Sequence, residues 1–338
     1  MEIVLYLKNL QGRGVQKVYL NLAKGLQELG HNVYFVIREN KIELDNKFLK
    51  HFYIFENIEV GLDKLLSTLS NPILISNDVK ITLNLKNINS KNIYYTVHML
   101  WGERIFKQFR FLKLFELKKL YKNRQLIVVS DAVKEDLLIK LGIKPKSIEV
   151  IFDGFDIGSI KTLANEPIDF VRDYILSIGA LSKEKNHQLL LKTYAKLNTS
   201  LDLIIIGSGK LEKSLKSLAK KLNIDENVHF IGFQTNPYPY IKNAKLIIST
   251  STNEALPGVI IESLILHTPV ISTQSKGVSS ILDGNFLPFV VKNSKLIETI
   301  SQALKSYPSI ELEDYERFCY KKIASCYVDY ISKRKDSE

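Results

Sequence analysis

The chain has 338 residues, 45% hydrophobic and 25% charged, the balance of a soluble globular protein long enough for two separate cores. Its net charge of +11 leaves nucleic acid, anionic lipid and phosphorylated small molecules open as partners. No zinc-ligand spacing, RNA-binding aromatic signature or basic zipper is present, so specific nucleic-acid reading is not expected, and no apolar run approaches the roughly 18 residues of a membrane span.

The N-terminus opens directly on a strand, Glu2 to Leu7, and does not read as a signal peptide. A loop from Lys8 to Gly14 leads into a helix over about Val15 to Leu29. Its apolar positions, Val15, Val18, Tyr19, Leu22, Ala23, Leu26 and Leu29, keep the three-and-four rhythm of one buried face. Gly30 stops it and Val33 to Ile37 is the next strand, which makes the start of a parallel α/β sheet. Gly12 and Gly14, with Arg13 between them, allow close approach of backbone to a ligand, although the same glycines serve a plain tight turn. The interval from Lys41 to Asn71 gives no clear pattern. Strands are then expected at Pro72–Ser76, Asn92–His98, Gln125–Ser130 and Ile148–Phe152. His98 ends its strand, at the edge where open parallel sheets keep ligands; a structural histidine is the competing reading.

Between Arg104 and Arg124 the pattern predicts one helix with two apolar faces. Ile105, Phe106, Phe109, Leu112, Leu117 and Leu120 share a broad face toward the core. Phe111, Leu114, Phe115 and Tyr121 cannot all join them, and Arg104, Lys107, Lys118 and Lys122 surround these leftovers. Aromatic side chains among basic groups suit an interfacial helix on anionic lipid; packing on a neighbouring helix or subunit is the alternative.

Residues 153–173 are polar and aperiodic and read as the passage between domains. A second alternation follows: strand Tyr174–Ile178, helix near His187–Leu197, strand Leu201–Ile206, helix near Lys210–Leu222, strands Val228–Ile231 and Lys245–Ser249. Later come a strand at Pro288–Val291 and helices at Lys295–Tyr307 and Asp314–Lys333. Gly179, Gly207 and Gly232 each follow a strand of this second set, and Lys183 and Lys185 lie just ahead of a helix. Cys319 and Cys326 suit two small buried residues on one helix face, not a disulfide or a metal site, and a reduced, cytoplasmic setting is expected. Two such units predict an α/β protein of two doubly wound parallel-sheet domains facing across a cleft.

The chain is organised around Ile247 to Thr273. A strand-type run leads to a polar turn containing Glu254, then Leu256, Pro257 and Gly258, then an apolar-periodic helix carrying Glu262, then strand residues Val270 and Ile271. Pro257 sits where the first turn of a helix accepts proline. The amides of Gly258, Val259 and Ile260 would face an anion at the positive end of the helix dipole. Alone, this pattern also describes an ordinary helix start and a solvated Glu on its face.

Taken together these features resemble the retaining glycosyltransferases of GT-B architecture, the group called family 4, over nearly the whole chain. The most specific match is Glu254-Ala-Leu-Pro-Gly-Val-Ile-Ile-Glu262, which looks like the family's E-x7-E motif. Arg13-Gly14, His98 in TVH, Ser130 in VVSDAV, IFDGFD at 151–156, SIGALSKEKN at 177–186, IIGSGKL at 205–211 and NVHFIGF at 227–233 support it.

The resemblance implies a catalytic role for Glu254 at the transferred sugar and a contact from Glu262 to the ribose. It implies that Lys185 and the backbone at Leu256, Pro257, Gly258 and Val259 hold the diphosphate, near Gly179. Arg13, Gly14 and His98 would act from the N-terminal domain, and Phe233 would line the base pocket. Two positions depart from the family: Ala180 stands where an Arg is usual, with Lys183 or Arg13 as replacements, and Arg13 stands where the first glycine of a pair is usual.

The implied division is 1–155 for the acceptor side and 156–313 for the nucleotide sugar, with helix 314–333 packing back on the first domain. The implied reaction is metal-independent, cofactor-free, retaining transfer of a hexose or N-acetylhexosamine from a nucleotide diphosphate sugar, UDP above others. Its acceptor would be a lipid-linked glycan of lipopolysaccharide or polyprenyl type at the inner membrane face. A sugar-nucleotide epimerase or hydrolase and a non-catalytic membrane-associated module are the alternatives. An oxidoreductase fits worse, because no complete G-x-G-x-x-G with a downstream acidic residue is present.

Overall fold

The computed structural model describes residues 1–11, 14–78, 85–107, 111–170 and 172–336. The chain divides into two compact units, Met1–Asp156 with Arg317–Glu338, and Ile157–Glu316.

In the first unit the strands are β1 (Glu2–Leu7), β2 (Asn32–Ile37), β3 (His51–Ile54), β4 (Ile73–Ser76), β5 (Ile93–Val97), β6 (Gln125–Val128) and β7 (Ser147–Val150). The helices are α1 (Gly14–Glu28), α2 (Ile58–Ser67), α3 (Gly102–Lys107), α4 (Phe111–Tyr121) and α5 (Asp131–Glu135). The strands form one parallel sheet in the order β3-β2-β1-β4-β5-β6-β7. β1 is apolar without alternation and buried beyond Glu2, as a parallel strand covered on both faces must be. The interval 41–71, unreadable in sequence, supplies β3 and α2.

Strands β2 and β3 are added on one side of β1 and β4 to β7 on the other, so the loop after β1 and the end of β4 flank a topological switch point. α1 buries Tyr19, Leu20, Leu22, Ala23 and Leu26 but ends at Glu28. Leu29, expected on the buried face, is exposed, because the chain leaves the helix there and turns at Gly30 with φ +81°.

The second unit contains β8 (Tyr174–Ile178), β9 (Asp202–Ile206), β10 (Val228–Gly232), β11 (Leu246–Ser249), β12 (Val270–Thr273) and β13 (Val290–Val291). Its helices are α6 (Ile157–Leu163), α7 (His187–Tyr194), α8 (Glu212–Lys221), α9 (Tyr238–Asn243), α10 (Gly258–Ile265), α11 (Leu296–Ala303) and α12 (Leu312–Glu316). The sheet is again parallel, in the order β10-β9-β8-β11-β12-β13, and its switch point lies between β8 and β11. Ile175, Leu203, Leu246 and Ile271 form its core with Leu190 and Leu191 of α7 and Ile300 of α11.

The final helix, α13 (Tyr320–Asp336), belongs to the first unit and packs along α1, where Ile323, Ala324, Tyr327 and Ile331 join the core of Tyr19 and Ala23. The single helix expected over 314–333 is therefore two, α12 and α13. Between them Phe318 is fully buried and Cys319 pairs in extended form with Phe155. That bridge holds the intervening residues out of helical geometry. The expectation of two buried cysteines also fails: Cys319 is half-buried ahead of α13, and Cys326 faces outward.

The helix expected over 104–124 is likewise two elements, α3 and α4, and the phase of the apolar pattern restarts at the second. Ile105 is buried in α3, and Leu117 and Tyr121 are buried in α4. Leu112, assigned to the core face from the sequence, is 91% exposed, and Tyr121, assigned to the leftovers, is not. Phe109 falls outside the described residues, as does the side chain of Lys107. No helix among the described residues is long and apolar enough to cross a membrane.

Candidate active site

At the switch point of the second unit, β8 ends at Ile178 and β11 at Ser249. The backbone beyond β8 is in direct contact with the end of β9, and the backbone beyond β9 with the end of β10. Gly179 N–H donates to the carbonyl of Ile206 (2.9 Å), Gly207 N–H to that of Gly232 (2.8 Å), and Leu181 N–H to that of Ser208 (2.9 Å). Gly207 has φ +141°, and a Cβ there would run into the carbonyl of Gly179, so glycine is required by both torsion and space.

The loop after β8 is then clamped by the segment after β11. Thr250 Oγ1 donates to the carbonyls of Lys185 (3.0 Å) and Asn186 (3.1 Å), and Thr252 N–H donates to that of Glu184 (2.8 Å). Asn186 takes φ +51°, which turns the chain into α7 and leaves Lys185 at the tip of the loop. Its aliphatic stem runs over Gly179, where an added Cβ would meet Lys185 Cδ at 3.1 Å.

Lys185 Nζ reaches Glu254 Oε1 at 2.5 Å. Their side chains are 30% and 13% exposed, so the pair is shielded but open to a ligand. Glu254 is held from behind, because Gly277 N–H donates to its carbonyl (3.1 Å) and a side chain on Gly277 would clash with the Glu254–Ala255 backbone. Lys185, Glu254, Leu256, Pro257, Gly258, Val259 and the ends of β8 and β11 line one cavity of about 140 Å³. That space suits a small polar group such as a phosphate, the remainder of any larger ligand lying outside it.

Pro257 is the residue before α10 rather than part of its first turn, extended with φ −76° and ψ 99°, and no side chain caps the helix. The amide of Ile260, expected to face the ligand, instead donates to the carbonyl of Pro257 (3.0 Å). The anion-facing end of α10 therefore rests on Gly258 and Val259.

Glu262 lies on α10 beyond the cavity lining, half-buried. Lys183 is exposed, so Lys185 is the lysine of this loop that reaches the cavity. Phe233 lies just past β10, 64% exposed, at the sheet's edge and not in the cavity. His187, next to Lys185 in space and sequence, is buried with Nδ1 unpartnered. Burial first, and the Lys185 charge second, push its pKa down to about 4, so it is neutral at pH 7.

In the first unit, Gly14 opens α1 and is exposed, and a Cβ there would meet nothing within 4 Å. Arg13 lies outside the described residues. His98 follows β5 and is nearly buried, with Nδ1 3.1 Å from Asp153 Oδ1; neither ring nitrogen has hydrogen-bonding geometry to a partner among the described residues. The geometry thus gathers Lys185, Glu254, Leu256, Pro257, Gly258, Val259 and Gly179 at one place. The clamps from Thr250, Thr252 and Gly277, and the carboxylate beside His98, had no signal in the sequence, since each depends on a contact between distant segments.

Comparison with known proteins follows the same division. Residues 12–158 match the family model described as Glycosyltransferase Family 4, and residues 163–322 the model described as Glycosyl transferases group 1. The chain is 37% identical over 172 residues to the N-acetylgalactosamine-N,N'-diacetylbacillosaminyl-diphospho-undecaprenol 4-alpha-N-acetylgalactosaminyltransferase of Campylobacter jejuni, covering 51% of this chain and 47% of that protein. It is 28% identical to the lipopolysaccharide core biosynthesis glycosyltransferase LpsE of Rhizobium meliloti, covering 46% of each. The chain thus spans about half the length of these curated relatives. Among solved structures, Anabaena HepE in complex with UDP and glucose superposes with a TM-score of 0.77 over 98% of this chain and 100% of that one, at 16% identity.

Proposed function

We infer that the chain, a GT-B glycosyltransferase by its fold and by the family matches of both its halves, moves a hexose or N-acetylhexosamine from a nucleotide diphosphate sugar to a lipid-linked glycan. The observation that carries this reading is the Lys185–Glu254 pair held over the start of α10 at a sheet switch point. In this reading the diphosphate sits against the amides of Gly258 and Val259 with Lys185 over it, and Gly179 leaves room for the lysine stem. As the anomeric C–O bond breaks, the bonding pair stays with the diphosphate. The added charge meets a fixed ammonium and the positive end of a helix, in place from the start.

Glu254, with Oε1 on Lys185, offers Oε2 to a hydroxyl of the transferred sugar and a negative charge near the cationic anomeric carbon. The acceptor hydroxyl oxygen takes the place of the phosphate oxygen with retention, as the family resemblance implies, and its proton passes to the departing diphosphate oxygen. Glu262 is assigned to the ribose, Phe233 to the base, and Arg13, Gly14 and His98 to the same reaction from the first unit.

A UDP-sugar donor is supported by the UDP complex of the HepE structure. A polyprenyl-diphosphate or lipopolysaccharide acceptor is supported by the names of the two curated relatives. We assign the phosphate charge to protein groups, with no metal and no cofactor beyond the nucleotide sugar, so transfer should persist in EDTA. The direct test is Glu254→Ala: transfer should fall on the order of 10²-fold or more, as for loss of one preorganised transition-state contact, while nucleotide binding stays measurable. Full transfer by that variant would remove Glu254 from the mechanism, and release of free sugar at the same rate without acceptor would make the chain a hydrolase.

A further inference from the structure

In the first unit a histidine and a carboxylate face each other beyond the ends of β5 and β7. His98 Nδ1 lies 3.1 Å from Asp153 Oδ1, and the two side chains are 9% and 15% exposed. Each is fixed by its own surroundings. His98 follows β5, and the ring of Tyr19 lies beside it with centroids 6.2 Å apart. The Tyr19 hydroxyl is itself tied to Thr96 Oγ1 (2.7 Å), on the strand that leads to His98. Asp153 sits in a stretch of chain gripped from two sides. Asn21 Nδ2 donates to the carbonyl of Gly154 (2.8 Å), and Lys24 Nζ meets Asp156 Oδ2 (2.6 Å). On the other side, a Cβ on Gly154 would lie 2.9 Å from Cα of Tyr320.

Among the described residues, His98 is the one partner of the Asp153 carboxylate. A carboxylate offers only lone pairs. A lone pair on Nδ1 would set two electron-rich atoms against each other at close range, in a shielded place where repulsion is strong. A proton on Nδ1 sets an N–H against the carboxylate instead, and in the neutral ring this leaves the lone pair on Nε2. Nε2 is buried and has no partner among the described residues. A buried acceptor left unpaired is unfavourable, and its complement is an O–H donor.

We propose that Asp153 is a positioning residue for transfer, holding His98 in the Nδ1–H form so that Nε2 accepts a hydrogen bond from a sugar hydroxyl. The inference rests on the reading that His98 takes part in transfer. Its first readout needs no turnover, so the two fail separately.

Long-range proton–nitrogen spectra of the full chain with labelled histidine report the ring tautomer directly. The His98 signal is identified among those of the six histidines by its loss in His98→Ala. The parent should show the Nδ1–H form, and Asp153→Asn should move it toward Nε2–H, because an amide can donate to Nδ1. Transfer should follow the tautomer. Asp153→Asn should lower kcat about tenfold or more, roughly the worth of one buried hydrogen bond, with a melting temperature near that of the parent. Asp153→Ala frees the ring without reversing it and should lose less. A merely structural carboxylate would give the opposite order, since Ala leaves a cavity and Asn keeps the shape. In a His98→Ala background, Asp153→Asn should cost nothing further. An Nε2–H ring in the parent, a greater loss in Ala than in Asn, or an undiminished effect of Asp153→Asn without His98 would overturn the proposal. Full transfer by His98→Ala would overturn both it and the assignment of His98 to the reaction.

Discussion

Lys185 has its position set by three independent constraints: its carbonyl accepts from Thr250, its stem lies on Gly179, and its ammonium meets Glu254. With the lysine already fixed by the other two contacts, the pair forms at less cost in side-chain freedom than an ion pair between two mobile surface chains. Next to it, His187 makes the region sensitive to acid. Its folded pKa, about 4, lies below the value near 6.5 it regains on unfolding. Between these values the unfolded chain binds more protons than the folded one, so stability falls as the pH is lowered from about 6.5 to about 4. Unfolding by urea at a series of pH values should show this loss, up to about 3 kcal/mol, and His187→Gln should flatten that segment. An unchanged slope in the variant would assign the acid sensitivity to other groups.

At the scale of elements, the contact of α1 with α13 depends on a residue with no side chain. A Cβ on Gly25 would lie 2.7 Å from Cβ of Ala324 and 2.9 Å from the carbonyl oxygen of Tyr320. Gly25→Ala should gain about 1 kcal/mol from helix propensity and lose about 1–3 kcal/mol from overpacking, so the crossing decides the sign. Net destabilisation is expected in chemical denaturation, and adding Ala324→Gly should recover part of it by removing one of the two clashes. Stabilisation by Gly25→Ala would mean that the helices separate freely. The same crossing explains why 314–333 could not be one helix. Phe318 must be buried and Cys319 must pair with Phe155 before α13 can reach α1.

For the whole molecule, each unit repeats one scheme, a parallel sheet whose order of strand addition reverses beside its first strand, with glycines in the sequence just after that strand. A ligand seated there binds only the folded chain and stabilises it by mass action. UDP at about 100 times its dissociation constant should contribute about 2.7 kcal/mol, which for a unit of this size is a rise of about 5–10 °C in melting temperature. Lys185→Ala should remove most of that shift. A chain that no nucleoside diphosphate stabilises would count against the donor site.

The alternation of strands and helices, the glycines at strand ends and the spacing of Glu254, Pro257 and Glu262 are local properties, written within a few residues of one another. Hydrophobic period and backbone sterics suffice to read them, and the family resemblance follows from their order. The pairing of Lys185 with Glu254, the exposure of Leu112, the burial of Tyr121 and Phe318 and the outward turn of Cys326 were settled by tertiary structure alone. Each depends on which distant segment occupies a given volume, and no periodicity along a single element carries that information.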